Sequence, residues 1–326
     1  MRELVCNNCG GSMMLDASGV TAHCPYCGKK FLLDHADTDY YRDFFARMNS
    51  FFAASEDGQT RKQNAEELWN TADIHTFTCA DGTPVEVKYM HRYSDGDTDV
   101  YVARRNIIFH FKTNGAEKTE HFRRSISTLD YPSADTRNLE AFFPKISGGF
   151  TLNDGSFLCA ITKDEDEYPL RLFGALNGRH AAWIISRLEN LCCVLEFSSL
   201  VHPQISPDTI YINPYTHQAS LYGGWWNAGK NNTLAVDTNE RLKLQQNLIG
   251  LRDTAAQALG YTKAADIPFT ADIPDALRSF IRSVPRPTAY DDFSYWDEML
   301  IKAYGERKFI QMDTNDSQIY GKKGLN

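Results

Sequence analysis

LVHPQISPDTIYINPYTHQASLYGGWW, residues 200–226, is the stretch from which the rest of the chain can be laid out. It reads as a loop carrying His202, a short strand at Ile210, Tyr211 and Ile212, and a turn at Asn213-Pro214. A second strand at residues 219–222 and a Gly-Gly stop complete it. Ahead of it, residues 179–196 place Ala181, Ile184, Ile185, Leu188, Cys192 and Leu195 on one face at helical spacing. The order is helix, loop, strand pair, glycine turn.

That order resembles the catalytic and metal loops of the protein kinase fold. There, His-Arg-Asp and a downstream Asn precede a strand pair and Asp-Phe-Gly. Laid on this motif, His202 stands for its His, Pro203 for its Arg and Gln204 for the catalytic Asp. Thr209 stands for the metal-binding Asn, and Gly223-Gly224-Trp225 for Asp-Phe-Gly. Phosphoryl transfer needs one carboxylate to take the hydroxyl proton, and another, with the Asn, to hold magnesium on the phosphates. Gln cannot accept a proton near neutral pH, Gly offers no ligand atom, and Thr is a weak neutral ligand. The resemblance implies a kinase fold without kinase chemistry, with no catalytic residue at Gln204, Thr209 or Gly223 and with ATP and Mg²⁺ not expected. His202 is in kinases a packing residue and is expected to pack here.

Bulk composition sets the frame. The 326 residues suit one large or two modest domains, and 42% hydrophobic residues suffice for a sizeable core. A net charge of −8 argues against nucleic-acid binding by the whole surface, which rests on clustered Lys and Arg. No run of eighteen apolar residues exists and the N-terminus lacks a signal-peptide core, so a cytoplasmic protein without a membrane partner is expected. Cys79, Cys159, Cys192 and Cys193 sit in apolar runs and read as buried thiols.

The strongest local motif lies in residues 1–33. Cys6-x2-Cys9 and Cys24-x2-Cys27 are separated by fourteen residues, and each pair is followed by Gly. Two such knuckles supply the four sulfur ligands of a tetrahedral structural zinc site, with a hairpin between them turning near Ser18-Gly19. The segment resembles a zinc ribbon. Four thiolates saturate the ion, so a zinc on Cys6, Cys9, Cys24 and Cys27 is structural. The ribbon either docks a partner protein or caps its neighbour; both readings stay open.

Residues 34–75 read as a helical linker. Tyr41, Phe44, Phe45, Met48 and Phe52 form an aromatic stripe that either packs on the main domain or meets a partner. From residue 76 the pattern turns to strands, with a hairpin about Asp81-Gly82 and a second pair at residues 99–103 and 107–112. In a kinase-like small lobe the glycine-rich loop would be residues 93–99. It holds one glycine among Asp95, Asp97 and Asp99, which disfavours phosphate and reads equally as an acidic surface turn. Lys112 is the one candidate for a nucleotide-binding lysine, although alternation groups it with Ile108 and His110, away from Ile107, Phe109 and Phe111. Its usual partner is a Glu on the next helix. Glu117 and Glu120 are near, but Phe122 stands at the family's position.

Residues 162–167 match the hinge, and residues 168–312 the mainly helical large lobe. Asn247 stands where kinases place an Asp that braces the catalytic loop's backbone, and keeps its shape without its charge. Residues 273–283 and 289–304 read as terminal helices, with Trp296, Met299, Leu300 and Ala303 inward, and residues 313–326 as a polar tail. The expected class is α+β: a small four-cysteine zinc ribbon, then a two-lobed kinase-like domain with an antiparallel-sheet small lobe at residues 76–167. Residues 202–209 with Gly-Gly-Trp-Trp at 223–226 also resemble a group of bacterial or phage zinc-ribbon proteins with degenerate kinase domains. That resemblance implies a pseudokinase scaffold acting through protein–protein contacts. An atypical nucleotide-dependent group-transfer enzyme, drawing on Asp208 and the acids at 95–99, is the alternative.

Overall fold

In the strand β8 (Asn106–Phe111) alternate residues Ile107, Phe109 and Phe111 are buried on one face, while Ile108 and His110 take the other. β8 is central to a five-stranded antiparallel sheet of order β6-β7-β8-β10-β9, with β6 (His91–Asp95), β7 (Thr98–Val102), β9 (Lys145–Thr151) and β10 (Phe157–Thr162). The computed structural model describes residues 14–15, 21–23, 30–32, 56–133, 136–230, 238–305, 310, 312 and 314–321; for 14–32, 56–58 and 238–244 only the backbone enters. The described residues fall into two units, one within 1–64 and 131–140, the other within 65–130 and 141–326.

In the first unit, β1 (Met14–Leu15), β2 (Thr21–His23) and β3 (Lys30–Leu32) form an antiparallel sheet. His23 pairs with Lys30, so the six intervening residues, which include Cys24 and Cys27, join two paired strand ends. The four cysteines and the aromatic stripe at 41–52 lie outside the described residues. The helix α1 (Glu56–Asn70) follows.

In the second unit, the Phe face of β8 receives α2 (Gly115–Ser127), whose Phe122 is fully buried. The chain enters α2 so tightly that a Cβ at Gly115 would lie 2.3 Å from the Cβ of Phe157. The opposite face is covered by a separate hairpin, β4 (Asp73–Thr78) and β5 (Pro84–Tyr89). Phe77 and Val87 of this hairpin pack with Tyr101, Leu158 and Ile108 of the sheet. The hairpin expected about Asp81-Gly82 is therefore present as a layer of its own, and the sheet's first strand is β6. Residues 93–95 and 98–99 lie within strands and only Gly96-Asp97 turns. The reading of 93–99 as a loop failed because short polar strands carry no apolar alternation.

The connector after β10 is pinned. Lys163, buried, donates its ammonium hydrogens to the carbonyls of Arg104 and Asp164, and Glu165 pairs with Arg104 and Arg105. Beyond it, β11 (Tyr168–Pro169), β13 (Ile210–Asn213) and β14 (Gln218–Leu221) form a small sheet, and β12 (Leu200–Val201) pairs with β15 (Gly229–Lys230). The remainder is helical: α3 (Gly178–Phe197), α4 (Thr238–Ala258), α5 (Asp275–Arg282), α6 (Ala289–Tyr304) and α7 (Asp316–Tyr320). The Asn177 side chain caps α3 by accepting from the His180 amide. Trp183, Leu191 and Val194 are buried besides the expected face, since α4 and α6 both pack on this helix. In the expected polar tail, α7 has an Asn315–Gln318 capping box and a buried Ile319, and its Asp316 accepts from the Tyr168 hydroxyl at 2.6 Å. Antiparallel sheet with one helix, pinned connector, mainly helical part: this is the order of elements that the kinase resemblance implies. No helix among the described residues is long and apolar enough to cross a membrane.

Two buried polar devices hold the helical part. The Asn247 amide oxygen accepts the His202 N–H at 2.8 Å and its nitrogen donates to the Leu200 carbonyl at 2.9 Å. Arg252 bridges Glu189 at 3.2 Å and Asp292 at 2.6 Å, with its guanidinium 3.5 Å from the Phe280 ring centre. Burial and the nearby Asp292 push the Glu189 carboxyl well above the usual carboxylate range.

Asn247→Asp is expected to cost about 3 kcal/mol in urea unfolding, because a buried carboxylate oxygen would then face the Leu200 carbonyl. Glu189→Gln tests this shift. The unfolded carboxyl ionises near its ordinary pKa and the folded one at higher pH, so this group's contribution falls as pH rises above about 4.5. The Gln variant is expected to lose less stability than the parent between about pH 5 and pH 8.

Candidate functional site

The loop between β12 and β13 carries the positions singled out in the sequence. His202 is fully buried, its Nε2 donates to the Gly223 carbonyl at 3.0 Å, and its ring meets Trp225 edge-on at 5.1 Å. Burial holds its pKa down to about 4, so it is neutral at pH 7 and packs as expected. The Gln204 amide oxygen accepts from Asn227 at 2.8 Å, and its nitrogen donates to Asp95 at 3.4 Å. Thr209 is turned into its own loop, with Oγ1 donating to the Gln204 carbonyl and accepting from the Ser206 N–H. The Thr209 carbonyl in turn accepts from the amides of Tyr222 and Gly223.

These contacts leave little room for the side chains a kinase would need. A Cβ at Gly223 would stand 3.1 Å from the Thr209 Cα, so an Asp there requires the loop to give way. Gly224 has φ +78°, and a Cβ on it would meet His202 at 2.8 Å and Gln204 at 3.0 Å. The structure brings Gln204, Thr209 and Gly223 together around the loop; none of the three can take up a proton near neutral pH or offer a carboxylate to a metal.

Above the loop lies an aromatic cluster. Trp226 sits with its ring centre 5.0 Å from Phe109, 5.0 Å from Phe111 and 6.3 Å from Phe122, all in edge-to-face arrangements. Phe109 and Phe122 meet at 6.1 Å. The three phenylalanines are at most 1% exposed and Trp226 is 9% exposed, so the cluster is dry. Trp225 is also fully buried, against Phe143 and His202, with its Nε1 donating to the Leu221 carbonyl. α2 is fastened to this segment: His121 Nε2 donates to the Ala228 carbonyl at 2.6 Å and Ser125 Oγ to the same oxygen at 3.0 Å.

Lys112 lies elsewhere. Its ammonium is 2.9 Å from Asp99, on the face away from Phe109 and Phe111, and its side chain is 46% exposed. Asp99 also accepts from Arg92 and Ser94, and with these partners its carboxyl is held down to about 2 despite burial. The three acids of residues 93–99 are dispersed, since Asp97 pairs with Lys118 of α2 while Asp95 faces Gln204. Glu120, near the expected partner position, pairs with Arg123 and Arg124.

Two residues that sequence reasoning missed meet on the loop. The Tyr93 hydroxyl donates to the Asp208 carbonyl at 2.6 Å and lies 3.4 Å from the Tyr211 hydroxyl. Arg171 stacks on the Tyr93 ring at 4.5 Å and pairs with the Asp208 carboxylate at 2.9 Å. Nothing in the sequence flagged Tyr93 or Arg171. The Phe109–Trp226 contact had a signal, because Phe109 was on the core face and Trp226 occupied the metal-loop segment.

No protein-family profile matches the chain, and no curated protein matches it. Among solved structures, the chain is similar to the ROP18 kinase domain in complex with AMP-PNP and sucrose, at 12% identity over 79% of this chain and 93% of that one, with a TM-score of 0.45. It is similar to vaccinia related kinase 3 at 11% identity, over 73% and 94% of the two chains, with a TM-score of 0.47. The Toxoplasma gondii specific rhoptry antigen kinase domain shows 10% identity over 74% and 91%, with a TM-score of 0.44.

Proposed function

We propose that this chain is a kinase-like protein without phosphotransfer chemistry, a pseudokinase that works as a scaffold or regulatory protein through contacts with other proteins. The observation that carries the reading is the dry cluster of Phe109, Phe111, Phe122 and Trp226. In a kinase the third strand's Lys pairs with a Glu on the following helix, close to the metal-holding Asp. Here the corresponding strand face and helix carry phenylalanines, and an indole fills the space beside them. A triphosphate with Mg²⁺ placed there would lose its solvation and gain no charged partner. The loop beneath supports the same reading, because the Gln204 side chain is spent on Asp95 and Asn227, and Thr209 on the Gln204 carbonyl and the Gly223 amide. With a net charge of −8, nucleic acid is not the expected partner.

The test is a thermal melt of zinc-loaded protein with ATP or GTP, each with and without Mg²⁺. No shift is expected. A ligand at a hundred times its Kd adds about 2.7 kcal/mol, so a clear Mg²⁺-dependent rise in Tm would overturn the reading.

The N-terminal segment belongs to the same proposal. Cys6, Cys9, Cys24 and Cys27 would hold one structural Zn²⁺, with the His23–Lys30 strand pairing bringing together the ends of the second knuckle. Elemental analysis of protein purified without added metal is expected to give one zinc per chain, and a chelator to unfold the N-terminal sheet while leaving the second unit folded.

A further inference from the structure

We infer that the β6–β7 hairpin is a lid latched shut on the loop at residues 204–209, with Tyr93 and Arg171 as the latch. Tyr93 reaches across to the helical part, where it is buried and its hydroxyl is bonded to the Asp208 backbone at 2.6 Å. Arg171 makes the contact two-sided. Its guanidinium covers the Tyr93 ring and grips the Asp208 carboxylate, and its own amide donates to the Pro207 carbonyl at 3.1 Å. One residue of the helical part therefore holds both the ring of the lid and the loop on which the lid closes.

The tip of the lid is fixed independently. Asp95 accepts from Gln204, whose other amide atom is engaged by Asn227, while Asp97 beyond the turn pairs with Lys118 and Thr113. The hairpin's two termini of contact thus lie on the loop and on α2, and both must release for the lid to lift. The connector is tied to the β7–β8 turn, through the Lys163 bond to the Arg104 carbonyl and the pairing of Glu165 with Arg104 and Arg105. The closed lid is a property of side chains distinct from the aromatic cluster, so it stands or falls apart from the absence of phosphotransfer chemistry.

Hydrogen exchange on the full chain, read by mass spectrometry, tests the latch. In the wild-type protein, residues 91–99 and 204–209 are expected to exchange slowly and together. Tyr93→Phe removes only the hydroxyl, and Arg171→Lys keeps the charge but loses the planar stack. Each is expected to speed exchange in these two segments about tenfold, the effect of losing roughly one hydrogen bond's worth of closure, while β8 and β10 stay unchanged. Two results would overturn the latch: no change on substitution, and a uniform acceleration across the whole sheet. Urea melts of both variants separate that last result from a local opening.

Discussion

The edge-to-face seat of Trp226 between Phe109, Phe111 and Phe122 is the contact on which the second unit's architecture depends. It joins two consecutive elements, β8 and α2, to the segment that leaves β14, about a hundred residues further along the chain. Each such aromatic pair contributes about 0.5–1.5 kcal/mol beyond the area it buries. The bonds from His121 and Ser125 to the Ala228 carbonyl add direction to what the rings supply in burial. In a kinase this region turns on an ion pair, which can form and break in water. An apolar cluster cannot be released as cheaply, because separation would expose the rings to solvent. Putting a Glu back at Phe122 alone would bury an unpaired carboxylate among rings, at a cost of several kcal/mol.

Asn247 holds both sides of the chain entering the loop, taking one N–H and giving one to a carbonyl. Those are backbone groups, indifferent to whether a kinase reaction follows. An amide serves both, whereas a carboxylate could accept but not donate. Thr209 turns into its own loop while Gln204 reaches out to Asp95 and Asn227, and a carboxylate in place of either would disturb these contacts.

Charge is distributed by the same logic of alternation. Asp95, Asp97 and Asp99 read as one acidic group in the sequence, but the hairpin sends them to three environments. Asp99 lies on the outer face with Arg92 and Lys112, Asp97 turns to Lys118, and Asp95 turns toward Gln204. Lys112 thereby gains a carboxylate partner on its own sheet face. Glu189 and Asp292 show the opposite case, two acids held together around one Arg252, where burial and the second acid raise the Glu189 pKa.

Residue order was enough to locate the helix at 178–197, the strand pair at 210–221, the buried face of β8 and the bracing role of Asn247, because each rests on local periodicity or on one motif in register. It also placed Phe122 at the position where a kinase carries the partner Glu, and Trp226 directly after the segment standing for Asp-Phe-Gly. It did not reveal β6, whose polar residues carry no apolar alternation, nor α7, whose five residues dock through Ile319 and Asp316. The partners of Tyr93, Arg171 and Lys112 were equally hidden. Tyr93 bonds to a backbone carbonyl 115 positions away, and such a contact leaves no trace in spacing. Which functional groups the loop carries could be read from the residues in line, since that is a matter of side chains at given positions. What packs around them is decided only by the tertiary structure, since the rings and the guanidinium group come from distant parts of the chain.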